Sequence, residues 1–298
     1  MKRIAQTCIV LLACHAAVSA SEQSSIDVGR GAVPMYIPSE YNADTSSPLV
    51  VLLHGYTSTG KNQNSYMKFS NLVDTYGFLF LAPDGTREDS KRKSQFWNAT
   101  EACCNFHNSS VDDSTYLRTL IEQVKSDYNV DSKRIFLIGH SNGGFMSYRM
   151  AYDHPDLIAA IVSLAGASMP TLDREAPATP VSILQIHGTE DGTISYEGSD
   201  IGNKEYPGAE GSVKLWAAYN GCASEAKPIE KTLDLDRRIE GKETHVTRYT
   251  NDCNRGGAVE LWTIEGGSHI PAISDTFSSE VIEWLFAHPK DGMIVETD

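Results

Sequence analysis

Beyond its first 20 residues the chain has no run of roughly 18 consecutive apolar residues, the length a membrane-spanning helix needs, so no membrane span is expected. Cations are scarce. Against 39 Asp and Glu stand 25 Lys and Arg, for a formal net charge of −14. So acidic a chain repels phosphate backbones, which makes nucleic acid a poor partner. No C-x-x-C or H-x-x-x-H spacing accompanies the cysteines, so no metal site is expected. Internal repeats, linkers and low-complexity runs are missing as well. A length of 298 residues without them suits one large α/β domain rather than two. The pattern sets no oligomeric state.

The N-terminus is of a different kind. Lys2-Arg3, an apolar stretch over residues 4–17 and the small residues Val18-Ser19-Ala20 make a secretory signal, with cleavage expected after Ala20. A cut before Cys14, within Leu11-Leu12-Ala13-Cys14, would instead resemble a bacterial lipoprotein signal; the Ala-type site is the better placed. Losing Lys2 and Arg3 takes the formal charge from −14 to −16 for residues 21–298, expected to be extracellular or periplasmic. Cys8 and Cys14 leave with the signal, so Cys103, Cys104, Cys222 and Cys253 enter an oxidising compartment, where they allow three pairings. Cys222 and Cys253 both sit in loop-like contexts, and a bridge closing about 30 residues would stabilise by roughly 3–4 kcal/mol in the chain-entropy model, which favours that pair. Cys103 and Cys104 then form a ring between adjacent residues or stay thiols.

The most informative run is Gly139-His140-Ser141-Asn142-Gly143, preceded by Arg134-Ile135-Phe136-Leu137-Ile138 and followed by Gly144-Phe145-Met146. It reads as strand, tight turn and helix, the G-x-S-x-G nucleophile elbow. Two glycines let the backbone turn sharply and let the helix pack on the strand, leaving Ser141 on a strained corner. A bare serine is a poor nucleophile, so the reading needs a base, an acid to orient it and donors for the oxyanion.

The acid expected is Asp191. The buried-strand pattern 181–188 ends in Thr189-Glu190-Asp191-Gly192, and sites in open α/β sheets lie just beyond the carboxyl ends of strands. The plain alternative is a turn aspartate before Gly192, and Glu190 would face elsewhere. The base expected is His269, the only one of nine histidines both after Asp191 and in a loop directly following a strong strand, Val259–Ile264. His245 and His288 look solvated. His54, His140 and His187 each flank a glycine at a strand end, where they shape the loops around the site, and His54 and His140 are also candidates to border its cleft.

For the oxyanion, the almost continuous apolar stretch 48–53 ends in His54-Gly55-Tyr56, as a central parallel strand covered on both faces would. The main-chain N–H groups of Tyr56 and Asn142 are expected to point at one spot beside Ser141, each typically worth about 3–4 kcal/mol of transition-state stabilisation. Further strands at 78–85 and 158–166 alternate with helical patterns at 62–76, 113–128, 143–153, 212–220 and 275–287, which implies a parallel sheet with helices on both faces. Asp112 and Asp113 read as the cap and first turn of the second helix. Phe96 and Trp97 are expected either to line an acyl pocket or to pack.

Taken jointly, His54-Gly55, the Gly-His-Ser-Asn-Gly-Gly elbow, Trp97-Asn98-Ala99 with Ala102-Cys103-Cys104 and Val111-Asp112-Asp113, His187-Gly188-Thr189-x-Asp191, Asn220-Gly221-Cys222 and Glu265-Gly266-Gly267-x-His269 resemble a known group. It is that of the secreted esterases containing polyhydroxybutyrate depolymerase-like enzymes and feruloyl esterases of carbohydrate esterase family one. The resemblance covers nearly all of the mature chain. It implies a single-domain α/β-hydrolase fold, Ser141, Asp191 and His269 as the triad, and a Cys222–Cys253 disulfide. In one place the chain departs from it. Many depolymerase-like members read Gly-His-Thr-Trp-Pro-Gly at the histidine, whereas this chain reads Ser268-His269-Ile270-Pro271-Ala272, without the aromatic beside the base. No polymer-adsorbing module follows residue 290, so short or soluble esters are expected.

The chemistry expected is acyl transfer to water without a cofactor, on an ester substrate, small or polymeric. A serine peptidase on this fold commonly carries an added gating domain, for which about 280 residues leave no room, and a non-catalytic binding protein should show a gap in the triad or oxyanion motifs.

Overall fold

A computed structural model describes residues 22–170, 175–222, 225–249 and 253–290. The expected signal segment 1–20, with both cleavage sites, lies outside them. In chain order the first strands are β1 (Glu22–Ile26), β2 (Val33–Tyr36), β3 (Ser47–Leu53), β4 (Leu79–Leu81), β5 (Thr86–Arg87), β6 (Gln95–Phe96) and β7 (Val130–His140). They are followed by β8 (Ala160–Leu164), β9 (Ser182–Gly188), β10 (Ser199–Ile201), β11 (Lys204–Tyr206), β12 (Lys227–Leu233), β13 (Thr244–Tyr249) and β14 (Val259–Ile264). The helices are α1 (Gly60–Met67), α2 (Val73–Tyr76), α3 (Asp113–Asp127), α4 (Asn142–Asp153), α5 (Gly208–Tyr219) and α6 (Phe277–Phe286).

Ten strands make one sheet in the order β1-β2-β4-β3-β7-β8-β9-β14-β13-β12. The six from β4 to β14 run parallel. Antiparallel strands close both flanks. β3 has no polar face because it has no wet face. Leu49, Val51 and Leu53 join the layer containing Leu117 of α3, Phe145 of α4 and Trp216 of α5. Val50 and Leu52 join the opposite layer with Phe69, Val73 of α2 and Phe277 of α6. An unbroken apolar run is what a parallel strand between two helical layers requires.

Two departures from the sequence pattern have local causes. The expected helix 62–76 is split into α1, a 3₁₀ turn over Phe69–Leu72 and α2, with Lys68 between them at φ 58°. The Asn64 side chain accepts from the Ser70 N–H and donates to the Ser70 hydroxyl, drawing the backbone off the helical path. The flanking strands β12 and β13 were hidden by polarity. β12 carries exposed Lys227, Glu230 and Lys231, the charged edge that keeps a sheet from pairing further. His245 on β13 is exposed, as expected. Asp112 caps α3 by accepting the Thr115 N–H.

Cys222 is bonded to Cys253, the favoured pairing, tying the end of α5 to the approach to β14. Cys103 and Cys104 are bonded to each other, the ring rather than two thiols.

Candidate active site

The carboxyl ends of β3, β7, β9 and β14 bring the expected residues to one place. Ser141 joins β7 to α4 at φ 55° and ψ −122°, a left-handed conformation rare for a residue with a side chain. Its N–H is fixed by the Leu164 carbonyl at 2.8 Å. The glycines around it are required by close approach. A Cβ on Gly139 would fall on the Gly143 carbonyl, and one on Gly143 would fall on the Leu53 carbonyl at the end of β3.

β9 and β14 are neighbours in register, Gly188 opposite Ile264, so the loops after them lie side by side. Asp191 and His269 stand on those loops. The Ser141 Oγ is 3.0 Å from His269 Nε2, and His269 Nδ1 is 2.8 Å from Asp191 Oδ2. The other carboxylate oxygen, Oδ1, accepts the N–H groups of Thr193 and Ile194, each at 2.8 Å. Burial pushes the Asp191 carboxyl up, but hydrogen bonds from His187 and His269, together with the Ile194 N–H, hold it well below the usual carboxylate range. Glu190 is exposed.

His187, expected only to shape its loop, stands behind Asp191 as a second imidazole, a role the sequence reading missed. His187 Nε2 faces Asp191 Oδ2 at 3.2 Å and the Ile194 carbonyl at 2.8 Å, so it carries the proton there. Its Nδ1 accepts from Gln185, whose carbonyl oxygen accepts the Tyr148 hydroxyl at 2.9 Å. Every member of this chain is buried. The alternation of β9 is the only sequence signal, because it puts Gln185 and His187 on one face.

The expected oxyanion donors stand beside the elbow, Tyr56 in the segment after β3 and Asn142 at the start of α4. Among the described residues the Tyr56 N–H meets no acceptor. Asn142 is the first residue of α4, where a helix leaves its N–H groups without an intrahelical partner. Gly55 stands so close that a Cβ on it would lie 3.4 Å from Ser141 Cβ. The substrate-cleft reading of His54 and Trp97 is corrected by burial, since neither exposes any surface. Trp97 instead joins the two donor segments from behind. Its indole N–H donates to the His54 carbonyl at 3.0 Å, its main-chain N–H to Asn142 Oδ1 at 2.7 Å, and its carbonyl accepts from Asn142 Nδ2 at 2.9 Å. His54 Nδ1 donates to the Gly55 carbonyl, and Nε2 accepts the Gly85 N–H, both at 2.8 Å. Phe96 is buried too.

Asp113 does more than begin a helix. Fully buried, it accepts from Arg30, from the Thr86 hydroxyl at 2.9 Å and from the Asn98 N–H at 2.7 Å, anchoring the segment that carries Trp97. Nothing in the sequence announces this, because its partners come from three distant segments.

His140 lies buried against His269 rather than in the cleft. Its Nε2 donates to the His269 carbonyl at 2.9 Å. Burial, with the neighbouring His269 imidazole adding to it, lowers its pKa from 6.5 to about 4. Between those values the unfolded chain binds a proton that the folded chain refuses, so stability is lost as pH falls from 6.5 towards 4, by at most about 3 kcal/mol. Burial moves His54 in the same direction. Thermal unfolding is therefore expected to show Tm falling between pH 7 and 4.5, less steeply in His140→Gln than in wild type. Parallel slopes for the two would remove His140 from the account.

A strained serine on a strand-to-helix elbow, with acid and histidine on later strand-end loops of a mostly parallel sheet, defines an α/β-hydrolase. Residues 40–206, over half of the chain, match the phospholipase/carboxylesterase family, and the chain belongs to that family. It is 26% identical over 245 residues to a bifunctional acetylxylan esterase/xylanase of Neocallimastix patriciarum, covering 82% of this chain and 31% of that protein. It is 29% identical over 244 residues to feruloyl esterase B of Piromyces equi, covering 78% of this chain and 41% of that one. The chain thus spans between three and just over four tenths of the length of these relatives. Among solved structures, an acetyl xylan esterase from Aspergillus awamori superposes with a TM-score of 0.60 at 19% identity, over 86% of this chain and 93% of that one, a likeness of fold.

Proposed function

We propose that the protein is a secreted serine esterase that cleaves carboxylic esters through an acyl-enzyme on Ser141. The observation that carries this reading is the unbroken line of hydrogen-bonding distances from Ser141 Oγ through His269 to Asp191, on a corner that presents the hydroxyl. His269 takes the serine proton as Oγ attacks the carbonyl carbon, then gives it to the departing alcohol. The N–H groups of Tyr56 and Asn142 hold the tetrahedral oxyanion. Water, deprotonated by His269, then releases the acid and restores the hydroxyl. Asp191, kept ionised by its donors, fixes the imidazole tautomer and stabilises the charged form.

Acetyl or feruloyl esters of plant polysaccharide are the substrates suggested by the two relatives, and hydroxybutyrate oligomers by the sequence resemblance. The two disulfides support export through the segment removed at Ala20. Purified protein is expected to hydrolyse 4-nitrophenyl acetate and at least one of acetylated xylan, methyl ferulate and hydroxybutyrate trimer. Inertness towards all four, with the protein folded, would end the esterase reading.

A further inference from the structure

Phe106 and Ile270 are the only large apolar side chains exposed among the described residues, at 50% and 57%. Both flank Ser141. Ile270 directly follows His269. Phe106 meets the ring of Tyr56 edge-on, with centroids 5.2 Å apart and planes at 86°, and Tyr56 itself follows the glycine packed against Ser141.

Neither side chain is exposed because its loop is loose. Arg238 Nη2 donates to the Ile270 carbonyl at 2.9 Å and to the Ser268 hydroxyl at 3.2 Å, and the Tyr66 hydroxyl donates to the Pro271 carbonyl at 2.7 Å. On the other side Asn105 is bonded to Asn98 and to both the N–H and the carbonyl of Ser109, and the Phe106 N–H donates to the Cys104 carbonyl. The Tyr56 ring is braced from its far end, where its hydroxyl donates to buried Glu88. Two apolar surfaces are thus held in water on fixed supports, one against the ring of Tyr56 and one next to His269.

We propose that Phe106 and Ile270 are the specificity walls of the esterase site proposed above, Phe106 taking an aromatic or extended apolar acyl group and Ile270 an apolar alcohol group. The sides follow from the chemistry. The carbonyl oxygen must sit at the N–H groups of Tyr56 and Asn142, so the acyl substituent on the same carbon passes the Tyr56 ring and reaches Phe106. The alcohol oxygen must face His269 Nε2 to collect its proton, so its substituent passes Ile270. Edge-on aromatic contact favours a planar group lying against Phe106.

The test compares ratios of kcat/KM within two substrate series. With 4-nitrophenol as the fixed leaving group, Phe106→Ala should lower the cinnamate-to-acetate ratio about tenfold, the scale of one lost apolar contact set, and Phe106→Tyr should restore it. With acetate as the fixed acyl group, Ile270→Ala should lower the 2-naphthyl-to-ethyl ratio by a similar factor and leave the cinnamate-to-acetate ratio alone. Calorimetric titration of Ser141→Ala with methyl cinnamate gives a readout independent of turnover, and adding Phe106→Ala should weaken that binding about tenfold. Ratios and affinity untouched by either substitution would overturn the walls. So would a change confined to self-association, which would make the pair an interface between copies. Ser141-dependent turnover of 4-nitrophenyl acetate tests the esterase reading separately, so the two can fail independently.

Discussion

Ser141→Ala is expected to lower kcat/KM for ester hydrolysis by about 10⁴-fold or more while leaving thermal stability within roughly 0.5 kcal/mol of wild type. Alanine keeps the Cβ and so keeps the strain of the left-handed corner, and the Ser141 N–H still reaches the Leu164 carbonyl. What disappears is the oxygen proposed to form the acyl-enzyme. His269 and the two main-chain donors remain, and they supply the small residual rate that triads commonly keep when the nucleophile is removed. A variant retaining a tenth of wild-type kcat/KM would mean that some other group attacks the ester.

The second large effect separates two adjacent carboxylates. Asp191→Asn should cost about 10⁴-fold in kcat, the scale measured for the corresponding change in a chymotrypsin-type triad. The amide is neutral, so the imidazolium formed during attack loses its counter-charge, and an amide nitrogen facing His269 Nδ1 favours the wrong tautomer. The loss extends to the second imidazole, because His187 also bonds Asp191. Glu190→Gln should change kcat less than about twofold, since the side chain is exposed and exposed charges contribute little. The reverse order of losses, with circular dichroism unchanged, would require redrawing the site around Glu190.

Features governed by local chain geometry were legible in the sequence. The G-x-S-x-G spacing announced Ser141 because the glycines answer to atoms within four residues or on the adjacent strand. The apolar runs at β3, β7 and β9, with the alternating pattern at β14, announced a parallel centre, and with it the strand ends where Asp191 and His269 stand. Features set by distant segments were not. Trp97 looked like a cleft residue because an aromatic before a turn reads alike whether it faces solvent or, as here, bonds the His54 carbonyl and Asn142 across 43 and 45 residues of chain. Asp113 looked like a first-turn helix residue because its bond to Arg30 spans 83 positions. The inward face of the charged strand β12 is Ile229, Lys231 and Leu233, and the lysine breaks the alternation that periodicity would reveal.

The central claim, that Ser141 carries the acyl group, is tested most directly by catching that intermediate. Wild-type protein quenched in acid during steady-state turnover of a 4-nitrophenyl ester, then digested and mapped by mass spectrometry, should carry one acyl group per chain on the peptide containing Ser141. His269→Gln protein should carry none. An acyl group found on any other side chain, or rapid turnover with no acylated peptide at any quench time, would contradict the account.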